Sequence, residues 1–390
     1  MRESHRVHVN AGHGSAIFVF AGRWSAPGGA GAGEASQFSA SGSALPGAES
    51  AVSPATRHPA FGLSLRTVEG EPVADLKARS AAELGSGRDP WAACNVQVDP
   101  GVYRLRLQLP TRDSLEQVIV AAPGWQTEIF LQPRLYRSPS GETESERADL
   151  AGASILYSRF NPDDPAGSLA FAPDDPDFGP SLRLLELARL GLISGRNVLS
   201  RDITEMLWAK WQNPMLGIVG AHLLLLSPEP DRELLGIVVN NLRYGIWPGF
   251  RHPDVEALAL RLEAAASDYA FATPPMLRSS WSLVIDASIA AASLVPEGSL
   301  AFDVATRVWG NSPWLLWRNP PPGRRPATPV DEYADALSAQ MAAIEEPASK
   351  GGTRRLAGAP DPSGDIRRLS KGLNLPRSNV EALYRKTRKE

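Results

Sequence analysis

A single cysteine, Cys94, in 390 residues excludes an intramolecular disulfide framework and any multi-cysteine zinc site. Long apolar runs are lacking as well. The longest, Met215–Leu226 and Leu283–Val295, fall short of the ~18 residues that span a bilayer, and the second carries Asp286. The opening MRESHRVHVN has no apolar segment behind its arginines, so no secretory leader is expected. No membrane partner is expected either, and the lone thiol suits a reducing, cytoplasmic setting.

Proline and glycine are abundant, with 34 of each, which excludes an all-helical rod and predicts many chain breaks. With 43% hydrophobic and 21% charged residues the chain has enough apolar surface for real cores, and its length corresponds to two or three domains of about 100–200 residues. The bias toward Ala, Gly, Pro and Arg suits a bacterial source. The net charge of −3 is unevenly spread. From Pro347 onward there are 11 Lys+Arg against 4 Asp+Glu, so the tail is +7 and the remainder −10. An acidic body with a basic tail predicts an acidic partner for the tail, or a tail that folds back on the body.

Residues 1–135 carry the period-two alternation of strands: Val7 and Val9; the run Ile17–Phe20; Phe61, Leu63 and Leu65; Val96 and Val98; Tyr103 through Leu109; Val118 and Val120; then Thr127, Ile129 and Leu131. Pro100-Gly101 and Pro123-Gly124 read as turns. An antiparallel β-sandwich is expected, interrupted at 25–58 by a Gly/Ala/Ser/Pro loop without periodicity. The segment Asp99-Pro100-Gly101-Val102-Tyr103-Arg104-Leu105, followed by Val118-Ile119-Val120 and Pro123-Gly124-Trp125, resembles the PEGA and carboxypeptidase-regulatory (transthyretin-like) sandwich modules. That resemblance covers residues 60–135. It implies a non-catalytic binding or spacer module and transfers no functional residue.

Beyond residue 150 the period turns helical. Pro-Asp clusters (Asp163, Asp164, Asp174, Asp175, Asp177) precede it, and then Leu184, Leu187 and Ala188 share a helix face. Asp202 and Glu205 form a capping box. Pro214, Pro230-Asp231, Pro253 and Pro274-Pro275 open further helices, and Gly217 and Gly220 allow a close helix approach. An all-α domain, bundle or solenoid-like, is expected over 150–320. A linker with one helix at 331–346 fills 321–364, and 365–390 forms a basic helical hairpin.

Within that hairpin, Leu369 through Leu383 resembles the generic bacterial helix-turn-helix. Leu369, Leu373, Val380 and Leu383 are the holding positions, Asn374 the left-handed turn residue and Ser378 the second-helix cap. The resemblance implies DNA contacts from Arg377, Asn379, Arg385, Lys386, Arg388 and Lys389. The alternative is a hairpin that docks on the acidic body or on a partner protein.

No catalytic signature stands out. Cys94 with His13 of Gly12-His13-Gly14 resembles the dyad of caspase-like proteases, but Cys94 sits in a strand pattern rather than in the parallel α/β sheet those enzymes need. A cryptic cysteine hydrolase is therefore a minor alternative. The aspartate clusters lack calcium-loop spacing, so no metal or other cofactor is expected. His252-Pro253-Asp254 matches the tripeptide of J-domain co-chaperones without its basic flank, and a proline-started helix explains it more simply. His222 reads as a core histidine. Asp286, if buried, needs a partner such as Arg278 or Arg307. Trp247, Phe250, Trp314 and Trp317 are the expected exposed anchors for a protein partner. Asn213-Pro214-Met215-Leu216-Gly217 and His252–Leu258 resemble accessory regions of bacterial conflict systems that accompany protease-like effectors. The function expected overall is a non-enzymatic protein–protein adaptor.

Overall fold

The structure, a computed structural model, describes residues 14–22, 58–80, 91–137, 144–160, 178–196, 207, 209–262, 268–321 and 362–387. β-Sheets come first and helices follow. β1 (Ser15–Ala21), β4 (Ala92–Val98), β7 (Trp125–Leu131) and β10 (Ser154–Arg159) form a sheet in the order β10-β7-β1-β4. β2 (Leu63–Thr67), β3 (Pro72–Asp75), β5 (Gly101–Gln108), β6 (Ser114–Ala121) and β11 (Leu316–Asn319) form a second, ordered β11-β6-β5-β2-β3. β8 (Pro133–Arg137) and β9 (Glu144–Ala148) pair as a ribbon. A short helix α1 (Leu76–Arg79) is capped by Asp75, which accepts from the Lys77 and Ala78 amides.

The strand pairs are antiparallel as expected, except that β1 runs parallel to β7. Pro123-Gly124 turns the chain from β6 into β7, with Gly124 at φ 75. β6 and β7 do not alternate, because every residue along both is buried. Glu116, Gln117, Gln126 and Glu128 are thereby buried along with the apolar residues of these strands. Val7 and Val9, the loop at 25–57, the capping box at 202–205 and the helix at 331–346 lie outside the described residues.

The helices are α2 (Phe178–Ser194), α3 (Pro214–Leu225), α4 (Arg232–Asn240), α5 (Pro253–Ala259), α6 (Arg278–Ser288), α7 (Leu300–Ala305), α8 (Pro362–Leu373) and α9 (Arg377–Thr387). α4 runs on into a π-helical turn, Asn241–Ile246. Their starts follow local chemistry. Asn213 accepts from the Met215 amide with Pro214 as the first helical residue. Asp231 accepts from Leu234, His252 from Asp254 and Ser299 from Phe302. α6 opens at Arg278 rather than at Pro274, because Leu277 is still extended and bridged to Trp314. The hairpin starts at Pro362, three residues earlier than expected.

Two corrections concern residues 150–320, expected to be all-α. They supply β10 and β11, each hydrogen-bonded to a strand from the first half of the chain. Both are short and flanked by Pro, Asp or Trp clusters, so partners distant in sequence define them as strands. One apolar cluster joins Ile17 and Ile129 of the four-stranded sheet, Leu65 and Leu105 of the five-stranded sheet, and Leu216, Leu235 and Val255 of α3, α4 and α5. A second cluster gathers Trp281, Leu294, Ala301, Ile366 and Val380 from α6 through α9.

Candidate functional site

A buried polar constellation sits where β10 meets α5 and α6. Proline fixes the first turn of α5, and His252 ahead of it turns its ring inward as the cap. His252 Nδ1 accepts from the Asp254 amide at 3.2 Å, so the proton of the neutral ring is on Nε2. That nitrogen lies 2.9 Å from the Tyr157 hydroxyl, which in turn donates to the Val120 carbonyl at 3.1 Å. Thr127 Oγ1 donates to the same carbonyl at 2.6 Å. β11 covers only Ser114–Gln117 of the neighbouring edge of β6, and side chains thus satisfy a carbonyl beyond its reach. The Trp247 ring stacks on His252 at 4.7 Å and 15°, and Tyr157 meets Trp247 edge-on at 5.4 Å.

Asp254 completes the arrangement. Its carboxylate accepts from the Met276 and Leu277 amides at 2.9 and 2.8 Å. Burial pushes its pKa up to about 6, against the pull of those amides and the Ser280 hydroxyl. Ser280 Oγ lies 2.7 Å from His222 Nε2. Burial pushes His222 and His252 each down to about 3, so both are neutral at physiological pH. Serine, histidine and aspartate thus come together, yet all of them are buried and the carboxylate is spent on backbone amides. The order also differs from a hydrolytic triad, in which the acid orients the histidine. The centre clamps α5 and α6 to the sheets. The His-Pro-Asp tripeptide acts as a helix start, as its sequence indicates.

The expected aromatic anchors divide. Trp247, Trp314 and Trp317 are buried, which corrects their assignment as exposed patches. The Trp247-Pro248-Gly249-Phe250 turn, with Gly249 at φ 79 and the Phe250 amide bonded to the Trp247 carbonyl, folds the indole inward. Trp314 Nε1 donates to the Ala153 carbonyl at 2.6 Å, and Trp317 lies in β11. Phe250 is half-buried against the core. The exposed large apolar side chains among the described residues are others: Leu187, Leu190 and Ile193 on one face of α2, Ile237, Tyr244 and Trp211 around the π-helical turn, and Leu135 and Leu226 singly. The α2 face ends at a cleft of about 450 Å³ lined by Leu192, Ile193, Arg278, Ser279, Ser282 and Asn311. The i, i+3, i+6 spacing of Leu187, Leu190 and Ile193 could have revealed this face, but an apolar helix stripe ordinarily means core.

The tail hairpin forms, with Asn374 in the left-handed region at φ 54 as expected. It folds back on the body. The Arg377 amide donates to Ser288 Oγ and its guanidinium to the Ile289 carbonyl and to Glu381. Asn379 is buried and donates to the Phe302 carbonyl at 2.9 Å, and Arg385 pairs with Glu297. Three of the expected DNA-contacting residues, Arg377, Asn379 and Arg385, are therefore engaged within the protein. The side chain of Lys386, and all of Arg388 and Lys389, lie outside the described residues. Ser378 does not cap α9, since its buried hydroxyl has no hydrogen-bond partner. The Pro376 carbonyl accepts the Asn379 and Val380 amides instead.

Cys94 is buried in β4, and burial raises its pKa, which keeps it a thiol. His13 and the aspartates 163–177 lie outside the described residues. Asp286 is exposed and pairs with Arg261 at 3.3 Å, not with Arg278 or Arg307. Among the described residues no group of three or more His, Cys, Asp or Glu side chains is placed to hold a metal ion, and no helix is long and apolar enough to cross a membrane. No protein-family model, curated protein or solved structure matches the chain.

Proposed function

We propose that this chain is a non-enzymatic, cytoplasmic protein–protein adaptor, and that its partner seats on the outer face of α2. The observation that carries the reading is the row Leu187, Leu190 and Ile193, each about half exposed, running into the 450 Å³ cleft beside Arg278. A stripe of that kind with polar groups at one end suits a helix or loop carrying apolar anchors and one hydrogen-bonding group. The β region serves as a sandwich spacer of the PEGA-like type, a reading supported by the apolar cluster that both sheets share. The test is capture from the native host with the full chain and with Leu190→Glu/Ile193→Glu. A protein held by the wild type, lost with the double variant and kept by a chain ending at residue 361 is the expected result. Equal capture by all three ends the proposal.

A second reading, DNA binding through the tail, is favoured by the helical hairpin and the left-handed Asn374. It leaves the groove contacts to the exposed Arg367 and Lys371 of α8 and to Arg385, whose pair with Glu297 would have to open. Retention on DNA at low salt that falls steeply with added salt, and is lost on deleting 362–390, supports it; no retention at low salt ends it.

A further inference from the structure

The outer face of the five-stranded sheet carries a group of arginines in an otherwise acidic body. Residues directly opposite in a ladder share a face, with Cβ atoms roughly 5 Å apart. Arg66 lies opposite Arg104, Arg106 opposite Glu116, and Glu116 opposite Trp317. Three arginines therefore share neighbouring positions of β2 and β5, with Arg104 and Arg106 at the Glu116 carboxylate and Arg66 opposite Arg104. Arg307, just after α7, joins them by hydrogen-bonding Asn319 beside Trp317.

Arg104 holds one oxygen of Glu116, and Arg106 faces the other. Arg104 grips it with Nε at 2.8 Å and Nη2 at 2.5 Å. Arg106 Nε lies 3.7 Å from Glu116 Oε1 without a hydrogen bond of its own, while its Nη2 donates to Gln108 Oε1 at 3.2 Å. Arg66 spends one nitrogen on the Gly70 carbonyl at 2.7 Å, and its Nε is likewise unbonded. The other acid acting here is Asp303, next to Arg307. Glu69 and Glu71, in the turn between β2 and β3, make no ion pair with any of the four among the described residues. Four cations against two carboxylates leave an excess of two positive charges.

Crowding of this kind is costly. Like charges directly opposite in a ladder repel, and here they are partly desolvated: the Arg104 and Arg106 side chains are 16% and 26% exposed. Burial, joined by the neighbouring Arg66 and Arg104 charges, lowers the Arg106 pKa despite Glu116. A fold that needed only to hold Glu116 would need Arg104 and Arg106 at its two oxygens, and neither Arg66 nor Arg307. Trp317, the aromatic ring on this face, is buried and offers no surface on which a base could stack, which disfavours a nucleic acid as the occupant.

We propose that Arg66, Arg104, Arg106 and Arg307 form a binding site for a phosphate dianion, either the free ion or the phosphoryl group of a phosphoserine in a partner protein. The charge excess matches a dianion, and guanidinium forks match its oxygens. The site is distinct from the α2 face and does not depend on it.

Titration calorimetry of the full chain at constant ionic strength tests this, using inorganic phosphate, a phosphoserine peptide and its unphosphorylated form as probes. Each is measured against the wild type, Arg106→Gln, Arg106→Lys, Arg307→Gln and, as a control in the tail, Arg367→Gln. Phosphate affinity should drop by at least about tenfold in Arg106→Gln and Arg307→Gln, by less in Arg106→Lys, and not at all in Arg367→Gln. Binding of inorganic phosphate alone assigns the free ion; tighter binding of the phosphopeptide assigns a phosphoserine. Circular dichroism establishes that the variants are folded, and Arg106→Lys, which keeps the charge, remains informative if Arg106→Gln is not. No phosphate-dependent heat with the wild type, or affinity that is equal across all the sheet variants, overturns the assignment.

Discussion

Tyr157 and His252, separated by 95 residues in sequence, meet at 2.9 Å, and their contact joins β10 to the start of α5. The hydroxyl accepts from the ring and donates to the Val120 carbonyl of β6. Three elements from three parts of the chain thus depend on one phenol oxygen. Tyr157→Phe should leave a buried ring N–H without a partner and the Val120 carbonyl with only Thr127, at a cost of about 1–3 kcal/mol. The midpoint of urea unfolding should fall with an unchanged slope. An unaltered midpoint would mean that the hydroxyl contributes nothing net.

Glu128 sits in the middle of β7 and is buried. Burial pushes its pKa up from 4.5 to about 7, with Ser158 and Gln126 pulling the other way. The folded chain therefore holds this proton more tightly than the unfolded chain. Stability from this group is present below about pH 4.5 and is lost as pH rises through about 7, by roughly 3 kcal/mol in total. Glu128→Gln keeps an oxygen for the Ser158 hydroxyl and removes the titration. The variant should gain on the wild type at pH 8 and match it near pH 4.5, as read from denaturation midpoints at the two pH values.

His222 and His252 work in the opposite direction. Their folded pKa values, about 3, lie below the 6.5 of a free imidazole. Their contribution is whole above about pH 6.5 and erodes as pH falls toward 3, because only the unfolded chain takes up the protons. His222→Gln should flatten the stability profile between pH 6 and 4 by about one proton. An unchanged slope there shows that His222 titrates normally in the folded protein.

Gly217 in α3 has no room for a side chain, since a Cβ would lie 2.6 Å from the Lys210 Cβ. Gly217→Ala should destabilise by about 1–3 kcal/mol despite alanine's better helix propensity. Gly236→Ala, which meets only Leu262 at 4.0 Å, is the matched control and should be neutral or stabilising. Thermal unfolding of the pair separates packing from propensity.

The buried Cys94 should react slowly with a thiol reagent in the native protein and rapidly in denaturant. Fast native labelling contradicts its place in β4.

The local features were legible in the sequence. Asn213-Pro214, Asp231 and His252-Pro253 start helices because a capping oxygen or nitrogen and a fixed proline φ act within three residues, with no help from the rest of the fold. The Pro123-Gly124 turn and the left-handed Asn374 are equally local. The alternation at Leu63, Leu65, Leu105 and Leu107 likewise marks one face of a sheet. The aromatic anchors were not legible. An indole beside a Pro-Gly turn looks the same in sequence whether it faces solvent or, like Trp247, stacks on a histidine brought in from the next helix.

Composition and short-range spacing alone determined that strands precede helices, where turns and caps fall, and that a basic tail follows an acidic body, since each depends on interactions a few residues long or on charge. Only the tertiary structure decided that β10 and β11 complete sheets begun a hundred or more residues earlier, that Asn379 turns inward to Phe302, and that Arg66, Arg104, Arg106 and Arg307 share one surface. Ladder register and core packing bring together residues whose separation along the chain carries no trace of their contact.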